Sequence, residues 1–318
     1  MKKIIKLRLV FMGTSSWAEK ILIQLLEKKY NVIAVFTQAD KKSGRKQEVS
    51  IVPVKKTAKN FKIPVFQPEK WDEQALKIIV NLKPDLIVVA DYGKILPKEI
   101  LELPGFGCLN VHASLLPKYR GASPIQNALL NGDTLTGVSI ILMDEKVDTG
   151  KILTQKELAI KLDDNYQSLS LKLSELGGNL LTETIPLWIN KKIIPQKQDE
   201  NQATLCQLIE KDDGRIFWNE SAKNIYNRFR AFSSWPGVFT FWENKGIKRI
   251  KLTALSFLFN SQSKERATGE VFRTENGIAV QTAKGIIFLK RVQMEGKKET
   301  DIENFINGYP NFLGAILK

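Results

Sequence analysis

Residues 84–91 read PDLIVVAD. Five apolar residues stand between a Pro–Asp start and an Asp end, with no polar residue among them. A strand with one wet face alternates apolar and polar side chains. A short run that is apolar throughout fits a strand covered on both faces, the habit of parallel sheets flanked by helices. Working outward, the same pattern recurs. Upstream, LRLVFMG (7–13) and NVIAVFT (31–37) read as buried strands. SSWAEKILIQLLEKK (15–29) has a Ser start and apolar residues at helical spacing. PVKKTAKNF and EQALKIIVNL read as helices, and IPVFQP holds a short strand. Downstream, GCLNVHA (107–113) is another strand. PIQNALLNGD is a helix ending in Gly132, and TGVSIILMD (136–144) is a last clear strand. Strand–helix alternation of this kind predicts an α/β, Rossmann-like, mostly parallel sheet.

From about residue 209 the pattern changes. After a helix-like SAKNIYNRFRAF come GVFTFWE, KRIKLTALSFLF, ATGEVFRTE, GIAVQTAKG and IIFLKRVQ, short strands at turn-marked spacing. They predict a small antiparallel, OB-like β-barrel. One longer helix is expected over 165–190. The polar, lysine-rich stretch that follows reads as a linker. The expected division is 1–189, a linker 190–208, and 209–318.

The 318 residues suffice for a full core. No apolar run approaches the roughly 18 residues of a membrane-spanning helix. The basic-then-apolar start, MKKIIKLRLVFMG, is interrupted by Lys6 and Arg8 and lacks a small-residue cleavage site. Cys108 and Cys206 have neither CxxC nor metal-type spacing, and they are read as free thiols in a reducing cytosol. The net charge of +14 is unevenly spread. Residues 1–60 hold 14 Lys/Arg against 4 Asp/Glu; residues 61–208 hold 16 against 18; residues 209–318 hold 18 against 12. Two basic ends around a neutral middle fit a polyanionic partner that touches both. They equally fit a lysine-rich chain with solvated lysines.

FMGTSS (11–16) follows a first strand but carries one glycine, and no acidic residue ends the second strand, which argues against a dinucleotide site. Gly13 is better explained as a close strand-to-helix turn. His112 is the only histidine in the chain. Asn110 and His112 stand two apart on a strand, so they share a face near its C-terminal end, where open α/β sheets bind ligands. An amide donor beside an imidazole suits acyl transfer: one stabilises a developing oxyanion, the other handles a proton. A third group comes from MDEKVDTG (143–150), which offers Asp144, Glu145 and Asp148. A loop after that strand would open on the same C-terminal edge. Asp148, before Thr149–Gly150, reads either as the orienting carboxylate or as a turn residue. No nucleophile elbow is present, and one histidine with two remote cysteines makes no zinc site. The attacking group is therefore expected to belong to the substrate.

NVHASLLPKYRGASPIQNAL (110–129), followed by TGVSIILMDEKVDTG (136–150), closely resembles the folate-dependent formyltransferases. The resemblance implies that Asn110, His112 and Asp148 form the catalytic triad. It also implies that Ser114, Leu115, Leu116 and Pro117 form the folate-binding stretch, with 10-formyltetrahydrofolate as co-substrate and no metal. VFTQADKKSGRK (35–46), VVADYGKILPKEIL (88–101) and DDGRIFWNESAKNIYNRFRAFSSWPGVFT (212–240) resemble members that act on methionyl-initiator tRNA. By that likeness the inserted loop 38–50, with Lys41, Lys42, Arg45 and Lys46, reaches the acceptor stem. Arg228, Arg230, Lys248, Arg249, Lys251, Lys290 and Arg291 are expected to meet the RNA backbone. Ala39 stands where proline is usual and Phe217 where aspartate is commoner. A cytoplasmic monomer acting in translation initiation, with no membrane contact, is expected. A formyltransferase of small amines such as nucleotide-sugars is the alternative.

Overall fold

The computed structural model describes residues 7–43, 48–259 and 266–318. The chain forms two compact units. One comprises residues 1–124, 135–160 and 170–207; the other comprises 125–134, 161–169 and 208–318. Two short segments, 125–134 and 161–169, that precede the bulk of the second unit in sequence thus belong to it.

The first unit is built on a seven-stranded sheet. From one edge its order is Lys151–Ala159, Leu135–Leu142, Cys108–His112, Leu86–Ala90, Leu9–Gly13, Val32–Phe36 and Val65–Phe66. The last five are parallel to one another, and Leu135–Leu142 runs antiparallel to both of its neighbours. The all-apolar reading of 84–91 holds, because every residue of Leu86–Ala90 is buried. Helices Ser16–Glu27, Pro53–Asn60 and Glu73–Leu82 form where helical spacing places them. Ser15 and Asp72 cap the first and third of these by accepting from the backbone N–H groups of Ala18 and Ala75. Gly13 has the packing role expected of it. A Cβ there would lie 2.7 Å from the Ala90 carbonyl oxygen and 2.8 Å from the Ala18 Cβ, so only glycine lets strand and helix approach this closely. The long helix is present as Tyr166–Ile189.

Residues 38–50, expected as an inserted loop, instead carry a short antiparallel ribbon that pairs Lys41–Ser43 with Glu48–Ser50. Asp40 anchors its base by an ion pair with Lys55, which holds that carboxyl below the usual range. Lys41 and Lys42 lie on the ribbon. Arg45 and Lys46 lie outside the described residues.

The second unit is the expected antiparallel sheet. The main strands Val238–Glu243, Ile247–Leu258, Ile286–Met294, Gly277–Gln281 and Val271–Thr274 follow one another in that order. Its closure comes from residues that carry no strand signal. Gly314 and Leu317 donate backbone N–H groups to the carbonyls of Val271 and Gly269, while Lys318 exchanges two backbone hydrogen bonds with Phe241. The last five residues therefore join the two edges of the sheet. Trp242 anchors the interior against Phe305, Tyr309 and Phe312. Two of the arginines expected at an RNA face are committed elsewhere. Arg230 is buried and donates to the carbonyls of Lys161 and Asp164 and to Asn227. Arg228 donates to the Asp213 carbonyl and to Glu220. In the sequence both look like free cations on a helix; packing buries Arg230, and Glu220 takes up the partly exposed Arg228. Arg249, by contrast, lies over the Phe239 ring at 3.6 Å.

Candidate active site

The strand Cys108–His112 lies inside the first sheet, between one parallel and one antiparallel neighbour. Leu109 and Val111 are buried on one face, and Asn110 and His112 share the other. His112 is 5% exposed. Its Nε2 lies 2.9 Å from the Tyr119 carbonyl oxygen. A carbonyl only accepts, so Nε2 carries the hydrogen. Nδ1 faces Asp148 Oδ2 at 3.5 Å. A ring protonated on both nitrogens satisfies both acceptors.

Asp148 is where the site converges. Its Oδ1 accepts from Asn110 Nδ2 at 3.1 Å, and its Oδ2 accepts from the Gly121 backbone N–H at 2.8 Å. The carboxylate thus ties the strand to the loop that follows it. Asp144 and Glu145 stand apart: Asp144 receives Thr149 Oγ1 and the Lys146 N–H within its own turn, and Glu145 faces Lys98. The route by which Asp148 arrives differs from the one expected. Leu135–Leu142 runs antiparallel to the histidine strand, pairing Leu142 with Leu109 and Ser139 with His112. The segment after it therefore leaves beside the start of the histidine strand, and residues 143–150 fold back to reach Asn110 and His112. Asp148 holds a left-handed backbone, φ 54°, which a non-glycine residue keeps only when its surroundings fix it.

The Ser114–Pro117 segment is held from below. Ser139 Oγ donates to the Ser114 carbonyl at 2.6 Å and accepts from the Leu116 N–H at 3.0 Å. Gln155 Nε2 reaches both Ser139 Oγ and the Leu116 carbonyl at 2.8 Å. Ser114 and Leu116 are buried, and Leu115 and Pro117 are half-buried. The four residues thus share one loop, two of them as its interior.

Residues 196–206 contribute what the sequence hid. Read as part of a linker, they belong to the first unit and line the site. Leu205–Cys206 pairs in parallel with Arg120–Gly121. Thr204 accepts from the backbone N–H groups of Tyr119 and Arg120, through its hydroxyl and its carbonyl respectively. Arg120, which closely follows the Ser114–Pro117 stretch, is 4% exposed and makes a two-pronged bond to Glu200, 2.8 Å on each arm. The Arg120 guanidinium holds the Glu200 carboxyl below its usual range. Arg120 Nε also donates to Gln198 Oε1 at 3.0 Å, and Gln198 Nε2 donates to the carbonyls of Asp148 and Gly150, each at 2.8 Å. Nothing in a polar stretch without apolar period announces such contacts, because its partners lie about 50–80 positions away. Both cysteines are buried thiols. Burial pushes Cys108 up to about 12 and also raises Cys206, whose Sγ reaches the Tyr119 and Arg120 carbonyls.

Comparison with known proteins follows the same division. The family model described as formyl transferase matches residues 7–185, and that described as formyl transferase, C-terminal domain, matches 208–310. The methionyl-tRNA formyltransferase of Caldicellulosiruptor saccharolyticus is 45% identical over 315 residues, covering 97% of this chain and 99% of that protein. Among solved structures, the N-formyltransferase from Helicobacter canadensis, in complex with folinic acid and dTDP-3-aminofucose, is similar with a TM-score of 0.66 at 19% identity, covering 89% of this chain and 98% of that one. HypX from Aquifex aeolicus is similar with a TM-score of 0.64 at 15% identity; 96% of this chain matches half of that one. At such identities the two structures speak for the fold alone. The end-to-end match at 45% identity goes further: the chain belongs to the formyltransferase family and groups within it with the methionyl-tRNA formyltransferases.

Proposed function

We propose that the protein transfers the formyl group of 10-formyltetrahydrofolate to the α-amino group of methionyl-initiator tRNA. The observation that carries the chemistry is the convergence of Asn110 and His112 on Asp148 at the face of one strand. The full-length similarity to methionyl-tRNA formyltransferases supports the substrate. The loop Leu115–Pro117, pinned by Ser139 and Gln155, fits a folate ring with its half-buried apolar side chains.

The amine attacks only when neutral. A free α-amino group titrates near about 7.7–8.0, and the neighbouring ester lowers that value, so neutral amine is present at pH 7. As the new C–N bond forms, negative charge gathers on the formyl oxygen. One Asn110 N–H is spent on Asp148; an amide carries two, and the second is the donor offered to that oxygen. Asp148 orients the His112 ring. It also receives the proton the attacking nitrogen must lose, directly or through water. The bond to N10 then breaks and that nitrogen regains a proton. His112 stands beside this path as the proton-handling group.

The tRNA would be held electrostatically by the ribbon bearing Lys41 and Lys42, by Arg45 and Lys46, and by second-unit cations such as Arg249. The working division is a catalytic domain over 1–189 and a tRNA-binding domain over 209–318, joined through 190–208, which besides connecting them lines the catalytic site over 196–206. The protein acts as a cytoplasmic monomer in this reading. Among the described residues, no helix is long and apolar enough to cross a membrane.

The test compares formyl transfer to methionyl-initiator tRNA, methionyl-elongator tRNA, free methionine and a nucleotide amino-sugar. Strong preference for the initiator form, weakening steeply with salt, is expected. Transfer to the sugar amine instead would keep the site and overturn the substrate.

A further inference from the structure

Asp148 carries the site in a backbone conformation that needs support, and the hydrogen bonds to its side chain come from Asn110 and Gly121. Its backbone is held from a third direction. Gln198 Nε2 bridges the carbonyls of Asp148 and Gly150. A two-carbonyl clamp across residue 149 fixes the turn on which the carboxylate is mounted. Gln198 is itself aimed, because its Oε1 accepts from Arg120 Nε. Arg120 cannot swing away, since its other arms are held by Glu200 in a bidentate pair. The chain of contacts runs Glu200, Arg120, Gln198, then the Asp148 backbone, with each donor facing an acceptor.

We propose that Gln198 is a positioning residue for the formyl-transfer reaction, setting the Asp148 carboxylate against His112 and Asn110. The inference rests on the functional reading above. It assigns a role in turnover to a segment that the sequence offers only as a connection. An amide is the side chain the place requires: it gives two N–H bonds to two carbonyls while taking one from the arginine. A carboxylate would face those carbonyls with acceptors alone.

The test uses the full chain without a histidine tag, so that His112 gives the one imidazole signal in an NMR spectrum selective for histidine. Gln198→Met keeps the length and removes all three polar contacts. Its kcat is expected to fall about 10- to 100-fold, the scale of a catalytic group displaced by about 1 Å. KM for both substrates should stay within about two-fold, since Gln198 contacts neither in this account. The imidazole signal should move in the same direction as in Asp148→Asn. If Gln198→Met does not fold, Glu200→Gln decides the matter. Glu200 is exposed, so the fold should tolerate the change, and a weaker hold on Arg120 should lower kcat by about two- to five-fold, with a smaller movement of the same signal. An unchanged kcat overturns the proposal. So does a lowered kcat with an unmoved imidazole signal, since Gln198 would then act by another route. If the unaltered protein formylates no methionyl-tRNA, the functional reading fails, and the imidazole signal still decides whether Gln198 positions Asp148.

Discussion

Replacing Asp148 by asparagine is the sharpest perturbation available, because volume and shape are kept and only one oxygen is exchanged. Both oxygens are committed. One accepts from Asn110 Nδ2 at 3.1 Å; the other accepts from the Gly121 N–H at 2.8 Å and faces His112 Nδ1 at 3.5 Å. Whichever way the new amide turns, its NH2 meets a donor. Turned one way it opposes Asn110; turned the other it opposes Gly121. At least one charge-assisted hydrogen bond is lost, worth about 1.5–3 kcal/mol. If that energy is expressed in the transition state, a tenfold change for each 1.36 kcal/mol gives a loss of about 10- to 150-fold. Loss of the charge beside His112 adds to it. The expected outcome is a fall of about 100-fold in single-turnover formyl transfer, with unchanged circular dichroism. Stability should suffer less visibly, at about 2–4 °C in midpoint for each kcal/mol lost from a unit of this size. Transfer within about three-fold of the unaltered protein would refute the placement of Asp148 at the centre of the site.

Gly121→Ala should break the pairing of Arg120–Gly121 with Leu205–Cys206. The backbone there has φ 113°, and a Cβ would lie 2.3 Å from the Cys206 carbonyl oxygen, which has no rotamer to escape into. A loss of at least about 1–3 kcal/mol is expected in urea unfolding, whereas Gly105→Ala, with nothing within 4 Å of its Cβ, should change little; equal curves would sink the argument. Native protein at pH 8 should react with a thiol reagent at neither cysteine, since burial raises both thiols and pushes Cys108 up to about 12. Full denaturation should release two reactive thiols per chain, and rapid labelling of the native protein would contradict the burial.

Much of the fold and half of the site can be read along the chain, because they rest on neighbours in sequence. The unbroken apolar run of Leu86–Ala90 announces a doubly covered strand, and helical spacing with Ser15 and Asp72 announces helices and their caps. Asn110 and His112 share a face because a strand has a period of two. None of these needs knowledge of what lies across the molecule. The remainder depends on contacts that no local pattern encodes. Asp148 arrives through an antiparallel strand, although a run buried on both faces reads the same in either direction. Arg230 looks like a surface cation until the packing around it is known; only then do carbonyls appear as its partners, as Glu200 does for Arg120. The closure of the second unit by its last five residues rests on backbone hydrogen bonds, which any side chain permits and so none predicts. Sequence alone determined the central strands, the main helices and the amide–imidazole pair, because periodicity is local; the edge strand Lys151–Ala159 and the ribbon within 38–50 were not among them. Tertiary structure alone decided the carboxylate's approach and the Gln198–Arg120–Glu200 support, because hydrogen bonds between residues some 50–80 positions apart leave no periodic trace.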